Sequence, residues 1–244
     1  MDRPVAIEFK NVFKSFGGQT TLRSFQLTVP KGSFYLLLGA NGAGKTTALR
    51  MLAGLSRPDF GSIFVNGVDL VEDPLGAKRC IAYLPDQPLL YPLLSPLEYL
   101  EFVAALWSMD AQAAYQRSTE LLKWVGLWDH RNKLTETFSQ GMKQKLAFVA
   151  GVLHDPDILL LDEPLTGLDV GAAKMIKDLM REMVMQGKTI VLTTHIMELV
   201  GAFDCRVGIL SQGRVVAEGT VDELRQLACR ESVEDIFIQL AETA

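Results

Sequence analysis

The stretch FYLLLGANGAGKT, residues 34–46, decides the reading of this chain: an apolar strand runs straight into a Gly-rich turn that ends in Lys45-Thr46. Such a turn is a phosphate cradle. Gly39, Gly42 and Gly44 allow φ > 0 and a bare backbone. Successive N–H groups along Gly39, Ala40, Asn41, Gly42, Ala43 and Gly44 can therefore converge on an anion at the start of the next helix. Helix-forming residues follow from Thr47 to Ala53. Lys45 would reach the β- and γ-phosphates of a nucleotide, and Thr46 would hold Mg²⁺. A chain of ordinary composition and this length matches the pattern by accident on the order of once in a hundred times. The reading is therefore a nucleoside triphosphatase, and a glycine turn with a surface lysine is the weaker alternative.

A second motif lies about 120 residues further on. Ile158 to Leu161 is a continuous apolar run, as in a strand buried on both faces, and it ends in Asp162-Glu163-Pro164. The carboxyl ends of strands are where open α/β sheets assemble their sites. Asp162 would orient Mg²⁺ or its waters, and Glu163, pointing the other way, could polarise the water that attacks the γ-phosphate. Alone, two acids after an apolar run read as solvated strand-end charges; paired with the phosphate loop they carry chemistry. Between the two motifs lies TFSQGMKQKL, residues 137–146, which opens a helix with Ser139 as N-cap and offers a second anion site. In isolation, a capped helix with Lys143 and Lys145 on its solvated face is the plainer reading.

Composition narrows the remaining classes. With 48% apolar and 22% charged residues the chain is an ordinary globular protein, long enough for a full core. The charge, 24 − 29 = −5, and the lack of a dense basic run argue against a nucleic-acid footprint. Cys80, Cys205 and Cys229 are far apart and odd in number, so they read as reduced thiols of a cytosolic protein. The N-terminus MDRPVAIEFK lacks the apolar core of a signal peptide, and no apolar stretch approaches about 18 residues. A partner would have to supply any membrane span.

Along the chain, residues 5–10, 25–29, 34–38 and 62–65 are strand candidates separated by Gly and Pro turns, and predict a small antiparallel layer around the phosphate loop. A Pro-rich stretch, residues 85–96, leads to Ser95-Pro96-Leu97-Glu98, a capping box with Pro at the first helical position. A second helix is predicted from Asp110 to Val125, stopped by Gly126, so residues 95–153 form a mostly helical insertion. Strand and helix alternation then returns. Asp169 caps a helix with Ala173, Ile176, Met180 and Met183 on its apolar face. Thr189 to Thr193 is a strand, and Arg206–Leu210 with Val215–Ala217 is a hairpin. Thr220 and Glu223 box the start of a helix, and Val233, Ile236, Phe237 and Leu240 mark a last amphipathic one.

These motifs, in this order and spacing, resemble the ABC ATPases, the nucleotide-binding subunits of ATP-binding-cassette transporters, over essentially the whole chain. GANGAGKT matches the phosphate loop, ILLLDEP the second acidic motif, and FSQGM sits where the family has its LSGGQ signature. Gly167-Leu168-Asp169 matches the D-loop, and His195, after TIVLTT, the switch histidine. The resemblance implies a P-loop NTPase (RecA-like) α/β fold with a mostly parallel sheet, an N-terminal antiparallel β layer and a helical subdomain. Residues 1–94 and 154–220 would form the ATP-binding core with its β layer, 95–153 the helical signature subdomain and 221–244 C-terminal helices. It also implies a head-to-tail dimer, with itself or a paralogous subunit, that sandwiches two ATPs with Mg²⁺. Ser139 and Gly141 would then act in trans, and Phe16 would stack on adenine. The signature carries Gln140 at its first glycine and Met142 at its usual glutamine, similar to the branch exporting drugs, antibiotics and polysaccharides. At the Q-loop the family glutamine aligns with Asp86, with Gln87 one place later, so the γ-phosphate and metal-sensing role lies with one of the two. The closing SVEDIFIQLAE is similar to the same branch.

The expected function is thus an ATPase subunit on the cytoplasmic face of a membrane that drives a separately encoded multispanning permease, an exporter, with the loop 85–96 as docking surface. No nucleic-acid partner is expected. The rival is a non-transport ABC-type scaffold in cofactor assembly or regulation.

Overall fold

The computed structural model describes residues 4–196 and 199–228. The chain opens with two long strands, β1 (Val5–Phe16) and β2 (Gln19–Pro30), joined by Gly17-Gly18. Both glycines have positive φ, 55° and 82°, the geometry a two-residue hairpin needs to match strand twist. β4 (Phe60–Val65) pairs with the other edge of β1, and Asn66-Gly67 turns it into the short β5 (Val68–Asp69). This sheet is antiparallel throughout, in the order β2-β1-β4-β5.

The other sheet has six strands, in the order β10-β9-β3-β8-β7-β6. They are β3 (Phe34–Gly39), β6 (Ile81–Leu84), β7 (Ile158–Asp162), β8 (Thr189–Thr194), β9 (Arg206–Ser211) and β10 (Arg214–Thr220). All pairings are parallel except β9 with β10. The strand at 34–38, expected in the antiparallel layer, lies here instead, flanked by β8 and β9 with every residue buried. Its unbroken apolar run already excluded a solvated face; β1 and β2, by contrast, alternate buried and exposed residues.

α1 (Lys45–Leu52) lies between the two sheets. Its Ala48, Leu49, Met51 and Leu52 join one core with Ile7, Phe25 and Ile63 of the antiparallel layer and Leu37, Leu160 and Val191 of the parallel sheet. The opposite face of the parallel sheet is covered by α5 (Gln140–Val152) and α6 (Val170–Met185) through Phe148, Val152, Ile176, Met180 and Met183. On α6 the buried positions are Ala172 and Leu179 beside Ile176, Met180 and Met183; Ala173, expected on that face, sits at its edge. Between β6 and α5 run α3 (Pro96–Leu106) and α4 (Ala111–Trp124), which bury Leu100, Ala104, Ala114 and Leu122 against Leu146 and Val149 of α5.

The caps fall where the side chains dictate. Ser95 and Glu98 form the capping box of α3, Asp110 accepts from Ala113 N–H at the start of α4, and Gly126 (φ 70°) follows its end. Thr220 and Glu223 exchange the expected bonds ahead of α7 (Val221–Ala228). The short α2 (Pro74–Lys78), β5 and β6 were not anticipated from the pattern. The predicted helix around Val233 to Leu240, the SVEDIFIQLAE segment and Cys229 lie outside the described residues.

Candidate functional site

The carboxyl ends of β3, β7 and β8 open beside the start of α1, and nine of the sequence-selected residues meet there. Asn41, Gly42, Gly44, Lys45, Thr46, Thr47, Asp86, Asp162 and Glu163, together with Thr21, line a cavity of about 260 Å³. Thr21 comes from β2 and carries no motif signal. Gln87 is not among the lining residues, whereas Asp86 is.

The loop holds its shape for separate reasons at separate glycines. Gly44 has φ 112°, and a Cβ there would stand 3.1 Å from Thr21 O and 2.6 Å from Leu22 Cδ2. Gly39, expected at positive φ, has none; it ends β3, and a Cβ there would come within 2.8 Å of the Leu210 carbonyl on β9. Close strand packing, not turn geometry, excludes a side chain. Ala40 and Ala43 border a neighbouring cavity of about 270 Å³ with Ile209 and Gln212.

Lys45 is 7% exposed and donates from Nζ to the carbonyls of Gly39 (2.7 Å) and Ala40 (3.2 Å), with Glu163 Oε1 at 3.9 Å. Burial lowers its pKa, and Glu163 and Asp162 pull in the opposite direction. Asp162 is 1% exposed and accepts from Thr193 Oγ1 at 2.6 Å, with the Tyr83 hydroxyl at 3.5 Å. Burial, reinforced by Asp162, raises the Tyr83 pKa and keeps it a donor. Glu163 breaks the strand: its φ is 49°, and its N–H still donates to Thr193 O at 3.0 Å. One carboxylate oxygen accepts from Thr194 Oγ1 (2.9 Å), and the other lies 2.8 Å from His195 Nδ1. Thus Asp162 and Glu163 each have their own threonine on β8. The pattern of motifs gave neither threonine, although both sit in the TT that precedes His195.

The remaining selected residues lie elsewhere. Ser139 caps α5 by accepting from Met142 N–H (3.3 Å), and Asp169 caps α6 by accepting from Ala172 N–H (2.8 Å). Gly141 stands beside that second cap: a Cβ on it would be 3.7 Å from Leu168 and 4.0 Å from Asp169 Oδ2. Gln144, one turn along α5, donates to Pro164 O at 3.3 Å and ties the helix to the loop after Glu163. Phe16 is 53% exposed at the tip of β1, with Lys14 Nζ 5.1 Å from its ring centre. None of these four, Phe16, Ser139, Gly141 or Asp169, lines the cavity of its own chain.

Such a constellation, a phosphate-sized cradle with a buried lysine and two acids at strand ends, fits a nucleoside triphosphate. The oxygen donors Thr46, Asp162 and Asp86 fit Mg²⁺, which takes one or two carboxylates and completes its shell with phosphate and water. No cluster of three or more His, Cys, Asp or Glu able to cage a metal occurs among the described residues.

Comparison with known proteins agrees. Residues 22–166 match the family model described as ABC transporter. The linearmycin resistance ATP-binding protein LnrL of Bacillus subtilis (strain 168) is 34% identical over 234 residues, 96% of this chain and 74% of that one. The Nod factor export ATP-binding protein I of Burkholderia lata is 38% identical over 217 residues, 88% of this chain and 71% of that one. A solved dimeric structure of a post-hydrolysis state of the ATP-binding cassette MJ0796, bound to ADP and Pi, superposes with a TM-score of 0.80. It is 27% identical, over 88% of this chain and 98% of that one.

Proposed function

We propose that this chain, which belongs to the ABC transporter family and as such binds and hydrolyses ATP, powers a separately encoded multispanning permease that exports its cargo. Export is supported by the relatives, named for linearmycin resistance and for Nod factor export. It also follows that the chain works on the cytoplasmic side, where ATP is. No helix among the described residues is long and apolar enough to cross a membrane, so the permease supplies the span.

The observation that carries the hydrolytic reading is the placement of Glu163, on the same cavity as Lys45, Thr46 and Asp162 yet bonded to His195 and Thr194. In this reading the phosphates lie along the N–H groups of residues 39–46, with Lys45 on the β- and γ-phosphates. Thr46, Asp162 and Asp86 would hold Mg²⁺, which when bound would neutralise phosphate charge. Glu163 accepts a hydrogen bond and then the proton of the attacking water, whose oxygen bonds to the γ-phosphorus as the bond to the bridging oxygen breaks and ADP leaves. His195 orients Glu163 and meets the γ-phosphate. Phe16 stacks on adenine with a sequence-tolerant ring contact.

Ser139 and Gly141 do not line their own chain's cavity, and the reading places them over the ATP of a second subunit, head to tail. The dimeric state of MJ0796 supports that arrangement. Residues 95–153 serve as the signature subdomain and loop 85–96 as the docking surface, where Leu89 (86% exposed) and Leu93 (71%) stand in solvent beside Tyr91. The test is Glu163→Gln. Steady-state hydrolysis is expected to vanish while ATP binding persists, and the variant should run as a dimer with ATP and Mg²⁺. Unchanged turnover would move the base elsewhere.

A further inference from the structure

Thr194 closes β8 with its side chain 1% exposed, and its hydroxyl has two partners. It donates to Glu163 Oε2 at 2.9 Å and accepts from Ile196 N–H at 3.0 Å. The first bond reaches the acid on the neighbouring strand; the second fixes the turn that carries His195. On the other side of the strand, Thr193 donates to Asp162 at 2.6 Å. Because successive residues of a strand point to opposite faces, two adjacent threonines address two adjacent acids separately.

The need for such a device follows from the geometry of Glu163. Its backbone sits at φ 49°, outside the strand, and the last torsion of a glutamate is broad and roughly two-fold, so nothing local fixes the plane of its carboxylate. His195 meets only Oε1, from a side chain that is 49% exposed. A buried donor on Oε2, itself locked by a backbone amide, defines the plane. Serving as both donor and acceptor, the hydroxyl links the orientation of the acid to the position of the histidine loop.

We propose that Thr194 is a positioning residue for hydrolysis: its hydroxyl holds the Glu163 carboxylate in register with the attacking water and with His195. The proposal rests on the assignment of Glu163 as the water-polarising group. Misplacing a reacting group by about an ångström costs on the order of 100-fold, and losing one hydrogen bond to a charged group costs roughly 10- to 100-fold.

Thr194→Val, which keeps the shape and removes the hydroxyl, should therefore lower kcat for ATP about 10- to 100-fold, with KM and ATP binding changed less than about two-fold. Thr194→Ser, which restores the hydroxyl and lacks the methyl, should return kcat to within about three-fold of the natural chain. In a Glu163→Gln background, Thr194→Val should add nothing to the loss. The proposal is overturned if the valine variant turns over normally, if serine is as impaired as valine, or if the defect falls on KM. Turnover retained by Glu163→Gln alone would instead sink the assignment beneath it, so the two failures are told apart by that single variant.

Discussion

Lys45 spends its charge on its own loop, donating to the carbonyls of Gly39 and Ala40 from a buried position. In the proposed function a phosphate takes the place of these carbonyls and offers a charge-assisted bond that a neutral carbonyl does not. Lys45→Ala should therefore weaken ATP binding itself, by roughly 10- to 100-fold in Kd measured by titration with a fluorescent ATP analogue. Normal affinity would count against the cradle. Asp86 and Gln87 give a finer test, because the sequence left the Q-loop role between them and only Asp86 lines the cavity. In the complex with its permease, Asp86→Ala should depress stimulated ATPase activity more than Gln87→Ala, with ATP binding nearly intact in both. The opposite ranking would shift the role by one residue. What was legible at this scale was anything announced by a motif: the loop, the two acids and His195. Thr21, Thr193 and Thr194 were not, since a threonine in a strand is ordinary and only the neighbouring strand shows what its hydroxyl meets.

Elements were legible where local chemistry sets them. The α3 start is an example: Ser95 N–H and hydroxyl both donate to Glu98 Oε2, at 2.8 and 2.7 Å, and Glu98 N–H returns a longer bond to Ser95 Oγ. Those bonds, the backbone one first, hold the Glu98 carboxyl below its ordinary value. A depressed carboxyl contributes stability that is fully present above its unfolded pKa, about 4.5, and is lost as pH falls through the folded value. Ser95→Ala should destabilise the chain by about 1 kcal/mol in urea melts at pH 7 and flatten that acid-side dependence; an unchanged slope below pH 4.5 would deny the box its role. Sheet membership was harder to read. The strand at Phe34–Gly39 is close in the chain to the strands of the antiparallel layer, yet its all-buried residues belong to the parallel sheet between β8 and β9. Its continuous apolar run carries that information, whereas proximity along the sequence does not set sheet membership.

At the scale of the whole molecule, helices and sheet are joined by contacts with no sequence signature. Arg117 of α4 donates to the carbonyls of Leu153 and Val152 at the end of α5, and Lys188 reaches Asp155 and Asp157 beside it. Such long-range satisfaction of helix-end carbonyls appears only once the elements are packed. The same scale governs the signature serine. Ser139 is bound to its own helix and does not line its own cavity, and in the proposed function its place in hydrolysis is at the site of a second copy. In that arrangement a head-to-tail pair has two sites, each built from Lys45 of one subunit and Ser139 of the other. If Lys45→Ala and Ser139→Arg chains are mixed, one site of the mixed dimer carries both defects and the other carries neither. Each variant alone should fail to release phosphate in a single-turnover assay, whereas the mixture should recover a burst from the intact site. If Ser139 served the ATP of its own chain, every site in the mixture would keep one defect, and mixing would restore nothing.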